Sequence, residues 1–127
     1  MIVYRNIEIK GEDMKEIESN SKDVVVHTFI LCSVDDPKLV LKEIQRILKP
    51  NGICVFIEHS LEPKNSMRRF IQKLIGPIWF CLLDCRFRPM KSVLESGDYS
   101  SLKIDMFEDD HYLSLVYPIV YGIGTKL

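Results

Sequence analysis

The run DVVVHTFIL at residues 23–31 constrains this chain more than any other stretch. It is continuous and rich in β-branched residues, the pattern of a strand covered on both faces. Asp36-Pro37 then opens a helix: the Asp36 carboxylate can accept free amide hydrogens, and Pro37 suits the first helical position. Val40, Ile44, Ile47 and Leu48 line the predicted inner face, while Lys38, Lys42 and Arg46 point elsewhere. Asn51-Gly52 turns the chain into ICVFIEH, a second buried strand over Gly52–Glu58. Strand, helix and strand joined by short loops form one βαβ unit, which predicts two parallel strands with a right-handed crossover.

The rest of the chain arranges itself around that unit. Residues 2–9 (IVYRNIEI) read as a strand broken by Gly11, and residues 13–20 as a helical turn or two. Phe70, Ile71, Leu74, Ile75, Ile78, Trp79 and Leu82 form an apolar stripe at helical spacing, interrupted by Gly76-Pro77. That pattern predicts two short helices or one kinked at the proline. A further turn or two is expected over 91–96, ended by Gly97; LKIDMF (102–107) and YPIVYGIGTK (117–126) are expected to pair antiparallel. With 127 residues the chain suffices for one domain, and 46% hydrophobic with 28% charged residues excludes a disordered segment.

Charge is uneven although the total is −1. Residues 64–91 hold seven basic side chains (Lys64, Arg68, Arg69, Lys73, Arg86, Arg88, Lys91) against Asp84 alone, so this segment is +6 and the remainder −7. Such a split suggests a local partner surface. Nucleic acid is not the expected partner, because the cluster lacks a recognition motif and the whole is slightly acidic. Cys32, Cys54, Cys81 and Cys85 sit in apolar surroundings without a disulfide framework, which points to buried reduced thiols and an intracellular compartment. Cys81 and Cys85, four apart, could share a helix face, but two thiols without a nearby His make a poor zinc site, so no metal is expected. The opening MIVYRNIEIKGEDMK reads neither as a signal peptide nor as a membrane span.

The ordered series GEDM (11–14), VVVHTFILCSV (24–34), LKPNG (48–52), a strand ending in EH (58–59), Trp79 and Tyr121 to Lys126 resembles the class I S-adenosylmethionine-dependent methyltransferases of the methyltransferase type 11 kind. It is most similar to the small membrane-associated thiol S-methyltransferases of the methyltransferase-like family. The resemblance implies an α/β, Rossmann-like sheet and a single methyltransferase domain over residues 1–127. It also implies methyl transfer from S-adenosyl-L-methionine to a small apolar acceptor, a thiol. Glu12 resembles the acid that accepts from the adenine amino group. Asp13 and Met14 resemble the positions framing the ring, and His27 and Thr28 those beside the cofactor's methionine end; read from the residues alone, Glu12-Asp13 is a solvated turn and His27, flanked by Val26 and Thr28, a satisfied buried histidine. The family also implies a cytoplasmic location, or a peripheral one on the endoplasmic reticulum membrane.

The sequence departs from the family where the cofactor is held. A Gly-rich E/D-x-G-x-G loop normally cradles the methionine and ribose, because only glycine lets backbone amides approach so closely. No such loop is present; Gly122-x-Gly124 ends a strand and opens no helix. The expectation is therefore a truncated domain lacking the family's first two strands, with impaired activity. Those strands would lie between residues 2–9 and 23–31. Either Ile2–Ile9 pairs directly beside Asp23–Leu31, the expected outcome for a chain folding alone, or an edge stays open to another chain and to oligomers.

His59 ends a parallel strand at the carboxyl edge, where open α/β sheets place ligands. It is the candidate catalytic base or orienter of a thiol, and equally a wall of the substrate pocket. Glu58 is expected to pair with a basic residue. Trp79 joins His59 on the substrate side. The stripe from Phe70 to Leu83 reads as core, as a lid over an apolar pocket, or as a basic amphipathic helix giving peripheral membrane contact through residues 64–91. A non-enzymatic module that binds a partner protein or membrane is the competing class.

Overall fold

A computed structural model describes residues 7–108, 111, 114, 115 and 117–127. The βαβ unit is present. Strand β1 (Lys22–Thr28) leads through helix α1 (Pro37–Ile47) to strand β2 (Leu48–His59), and β1 and β2 pair in parallel with His27 opposite Phe56. Asp36 caps α1 as its position predicts, accepting from the amides of Lys38 at 3.0 Å and Leu39 at 3.4 Å. Val40, Ile44 and Ile47 are buried on its inner face, joined by Leu41. The second strand begins at Leu48, ahead of the predicted start at Gly52, with Asn51 taking a left-handed φ of 64°.

Helix α2 (Met67–Leu83) and helix α3 (Met90–Glu95) follow, then strands β3 (Ser101–Phe107) and β4 (Ile119–Thr125). The sheet order is β1-β2-β4-β3, with β4 antiparallel to both of its neighbours. This is the mixed, partial Rossmann-like sheet that the sequence predicts, with its antiparallel terminal pair. β4 can lie in the middle because Gly122 lets the strands close up: a Cβ there would stand 1.9 Å from the Lys103 carbonyl oxygen.

Alternation along the strands separates two faces. Val25, His27, Cys54, Phe56, Glu58, Val120, Leu102, Ile104 and Met106 point to one side, where α1, α3 and the segment 31–32 complete the core. Each fully buried aliphatic or aromatic side chain in that core contributes roughly 1.5–3 kcal/mol, whereas His27 and Glu58 cost free energy to bury and are there as a pair. The opposite side carries Val24, Val26, Val55, Ile57, Tyr121, Ile123, Lys103, Asp105 and Phe107, and among the described residues no helix covers it. Val24 stays 51% and Val26 64% exposed, so β1 is not covered on both faces as its apolar run predicts.

Other expectations are corrected. The chain leaves the strand at Thr28 and turns, so β1 does not reach Leu31. Residues 13–20 form turns without a helix; of the two alternatives for the apolar stripe, the single helix with Gly76-Pro77 inside it is the one present. Residues 2–6 of the first predicted strand lie outside the described residues, and residues 7–9 form no strand. Ile7 and Ile9 instead wall, with Ile17 and Lys22, a pocket of about 590 Å³ near the start of β1. Cys81 is exposed on α2 while Cys85 is buried beyond its end, so the two share no helix face; Cys32 and Cys54 are buried.

α2 is amphipathic in reverse. Its inward side buries Arg68 and Gln72. Arg68 donates to Glu62 at 3.0 Å, and Gln72 accepts from the Glu62 amide at 2.8 Å and donates to the Tyr117 carbonyl at 3.1 Å. Phe70, Leu74, Ile78 and Leu82 face outward and exposed, Leu82 by 77%. The reading of the stripe as core therefore fails for these four. Trp79 alone of the stripe packs against the core cluster.

Candidate active site at the carboxyl rim

Parallel strands deliver their carboxyl ends to one rim, where the chain leaves the sheet and ligands commonly sit. Phe29, the residue after β1, takes φ 52°, a left-handed conformation that bulky side chains seldom adopt. Its amide still donates to the Ile57 carbonyl at 2.9 Å, so the reversal is pinned to the ladder. The turn stacks the Phe29 ring on the His59 imidazole, with centroids 4.2 Å apart and planes 19° apart. Thr28 is exposed beside them and His59 half-buried.

Beneath the rim lies a pair that the sequence did not reveal as a pair. Glu58 is fully buried, and its Oε1 meets His27 Nδ1 at 2.6 Å. The same carboxylate accepts from the amides of Ile30 and Leu31, each at 3.2 Å. Burial by itself lowers the His27 pKa, but Cys54 and Glu58 beside it outweigh that and raise it from 6.5 to about 9. A buried carboxylate persists only when donors surround it, and here they are an imidazolium and two amides. Their joint effect is to fix the turn that carries Phe29. His27 is 4% exposed and paired with Glu58 in the core, as its reading as a buried histidine expects.

Two of the seven clustered basic residues brace the same turn from outside. Arg86 donates to the Val34 carbonyl at 3.1 Å and pairs with Asp35 at 3.3 Å. Arg88 donates to the carbonyls of Leu31 and Asp35. With Arg68 inside α2, part of the predicted partner surface is internal scaffolding. Cys32 and Cys85, both free thiols, adjoin it: the hydrogen bond between them holds the Cys32 thiol down at about 7 and pushes Cys85 well above the usual range.

The GEDM turn reaches the rim through the same connection. Glu12 Oε1 accepts from the amides of Asp35 at 3.0 Å and Asp36 at 3.5 Å. Asp13 is exposed, 3.4 Å from the Lys15 ammonium. Met14 is clamped to α1, its amide donating to Glu43 at 2.7 Å and its carbonyl accepting from Arg46 at 2.8 Å. Trp79 leans on Phe87 at 5.4 Å. A pocket of about 400 Å³ under α2 is lined by Leu61, Gln72, Lys73, Pro77, Phe80 and Phe87, not by Trp79. The structure thus gathers Thr28, Phe29 and His59 directly and attaches Glu12 through residues 35–36; it does not bring Trp79 to them. Phe29 was missed because its role follows from a backbone reversal that no residue type announces.

Comparison with known proteins follows the same lines. A methyltransferase-domain family model matches residues 3–56. The chain is 47% identical over 118 residues to thiol S-methyltransferase TMT1B of Rattus norvegicus, covering 91% of this chain and 48% of that protein. It is 35% identical over 118 residues to the human thiol S-methyltransferase TMT1A, with the same coverage. It therefore spans about half the length of the curated relatives it matches. Among solved structures, a SAM-dependent methyltransferase of Thermotoga maritima superposes with a TM-score of 0.71 at 20% identity, over 95% of this chain and 63% of that one.

Proposed function

We propose that the chain belongs to the methyltransferase-domain family it is similar to, and that it supplies the acceptor-side rim of a site that methylates a small apolar thiol. The observation that carries this reading is the Phe29–His59 stack at the carboxyl ends of two parallel strands. Bound S-adenosyl-L-methionine, the family's cofactor, supplies the methyl group. The residues here fit only one flank of it. Glu12 ties the turn over residues 11–14 to the rim through residues 35–36, and Thr28 offers an exposed hydroxyl. The Gly122-x-Gly124 pair offers no cradle: Gly122 is closed by the Lys103 carbonyl and Gly124 by the Tyr99 ring, 2.6 Å from where a Cβ would stand.

The chain's own residues act on the acceptor. The Phe29 face gives an apolar thiol a surface to lie on, and His59 stands where it can take the thiol proton or orient the sulfur. A thiolate needs little further activation, so positioning is the larger contribution. Without a cradle, the chain by itself turns over poorly.

The test is a chimera in which residues 1–127 replace the matched half of the rat relative. Incubated with methyl-labelled S-adenosylmethionine and a small aliphatic thiol, it should yield the labelled thioether, and His59→Ala should slow it at least tenfold. A chimera that binds the cofactor yet methylates no thiol would contradict the reading.

A second reading rests on α2. Met67, Phe70, Leu74, Ile78 and Leu82 form an exposed apolar stripe, with Lys64, Arg69 and Lys73 in the same segment. No described helix is long and apolar enough to cross a membrane. An interfacial helix needs only such a stripe with basic residues near it. Peripheral contact with an anionic membrane surface, including that of the endoplasmic reticulum, follows as a proposal. Flotation with phosphatidylserine vesicles should be lost in Leu74→Glu; unchanged flotation would end it.

A further inference from the structure

Two of the free thiols meet where the rim turn passes the chain leaving α2. Cys32 lies in the turn that follows β1, and Cys85 just beyond the end of α2. The Arg86 amide donates to the Cys32 carbonyl at 2.8 Å, so the two backbones run side by side here. A disulfide joins cysteines whose Cα atoms stand roughly 4.4–6.8 Å apart. Backbones joined by such a bond have that spacing, about 4.5–5.5 Å between facing Cα atoms in a sheet. The side chains converge as well: both belong to one core cluster, and the two thiols share a hydrogen bond. Cys54, by contrast, lies inside β2, and Cys81 is exposed on α2.

The surroundings favour oxidation at one of the two sulfurs. Arg86 and Arg88 donate to the Val34 and Leu31 carbonyls on either side of Cys32, which places two guanidinium groups around it. The bond from Cys85 holds the Cys32 thiol at about 7, so a large share is thiolate at neutral pH, the form that reacts. Cys85 keeps its proton and is placed as the resolving partner. Residues 84–89 form neither helix nor strand, and segments of that kind open locally, which admits a small uncharged oxidant.

We propose that Cys32 and Cys85 are a peroxide-sensitive pair that closes reversibly to a disulfide and, in closing, loosens the turn that carries Phe29. The Cys32 thiolate attacks hydrogen peroxide: an S–O bond forms, the O–O bond breaks, and hydroxide leaves to become water with the proton Cys32 gave up. Sulfur is oxidised by two electrons and the peroxide reduced by two. The Cys85 sulfur then attacks the Cys32 sulfenic acid, forming the S–S bond and breaking S–O, and its proton leaves in a second water. The link to the rim is the Cys32 thiol itself, which donates to the Phe29 carbonyl at 3.6 Å. A disulfide sulfur has no hydrogen to give, so Phe29, held at a left-handed φ of 52°, loses a support. This goes beyond methyl transfer, because it gives the rim a control that does not depend on turnover.

The test treats the full chain with hydrogen peroxide, blocks the remaining thiols with N-ethylmaleimide and maps tryptic peptides by mass spectrometry. The expected product joins residues 23–38 to residues 74–86, with the mass of the two peptides less two hydrogen atoms. Fragment ions should place the bond at Cys85 and the blocking group on Cys81, and dithiothreitol should restore both thiols. The Trp79 indole reaches the Cys85 sulfur, so its fluorescence should fall at least twofold on closure and recover on reduction. In NMR spectra the His59 ring protons, stacked beneath Phe29, should shift downfield in the oxidised chain. Cys81→Ser should behave as the parent, whereas Cys85→Ser should stop at the Cys32 sulfenic acid, trapped by dimedone. Three results would overturn the proposal: no link between Cys32 and Cys85, a bond through Cys81 instead, or a link that leaves the His59 resonances in place. Neither mass nor resonance depends on methyl transfer, so this proposal and the thiol-methylation reading fail separately.

Discussion

Replacing Glu58 by Gln tests how the rim is held. The substitution keeps the shape but removes the negative charge that His27 and the amides of Ile30 and Leu31 share. Burial lowers the His27 pKa, but Cys54 and Glu58 together raise it from 6.5 to about 9 on folding, a difference worth about 3 kcal/mol of stability, of which Glu58 supplies part. Its sign follows from the raised value. The contribution is complete below the unfolded pKa of 6.5 and disappears as pH climbs through about 9. At pH 6, Glu58→Gln should therefore cost roughly 3–5 kcal/mol, the usual loss on breaking a buried pair. At pH 9.5 the difference should shrink to roughly 1–2 kcal/mol, the part owed to the two amides. Urea unfolding followed by the fluorescence of the single tryptophan, Trp79, measures both proteins at each pH. Taking the difference removes contributions common to both, such as that of the Cys32 thiol held near 7. A difference below about 1 kcal/mol at pH 6, or one that does not change with pH, would refute the buried ion pair.

Three further outcomes follow from the packing. Gly122→Ala would push a methyl to within 1.9 Å of the Lys103 carbonyl, so thermal unfolding should show a loss of about 3 kcal/mol or more. Gln72→Leu leaves the Glu62 amide and the Tyr117 carbonyl without their partner, and urea melts should show a loss of about 2–3 kcal/mol. Phe29→Ala in the chimera removes the stacked ring; the KM for the thiol should rise about tenfold, with the affinity for S-adenosylmethionine unchanged by calorimetry.

Local signals carried much of the architecture. Asp36-Pro37 marked the start of α1 because capping depends on residue type within a few positions, whereas Asn51-Gly52, which reads as the end of that helix, turns the chain within β2, beyond the Leu48 cap. The parallel pairing of β1 and β2 followed from the short connections around that helix. Relations between distant residues were less legible. His27 and Glu58 are 31 apart, and although a basic partner is expected for Glu58, no local signal names His27 as that partner. The stripe on α2 announces only that one side is apolar. Which side turns inward was decided by Arg68 and Gln72, whose partners Glu62 and Tyr117 lie outside the helix. Val24 and Val26 look doubly buried because β1 has the composition of a sheet covered on two faces, whereas the described residues cover one. At the site, His59 and Thr28 could be placed at the rim from strand ends alone, but Phe29 required the backbone turn.

The central claim is that these residues form one side of a methyltransferase site and depend on a complementary half to hold the cofactor. Titration calorimetry with S-adenosylmethionine tests it most directly, run on the chain alone and on the chimera. The account predicts no measurable heat of binding from the chain and micromolar affinity from the chimera. Micromolar binding by the chain alone would contradict it.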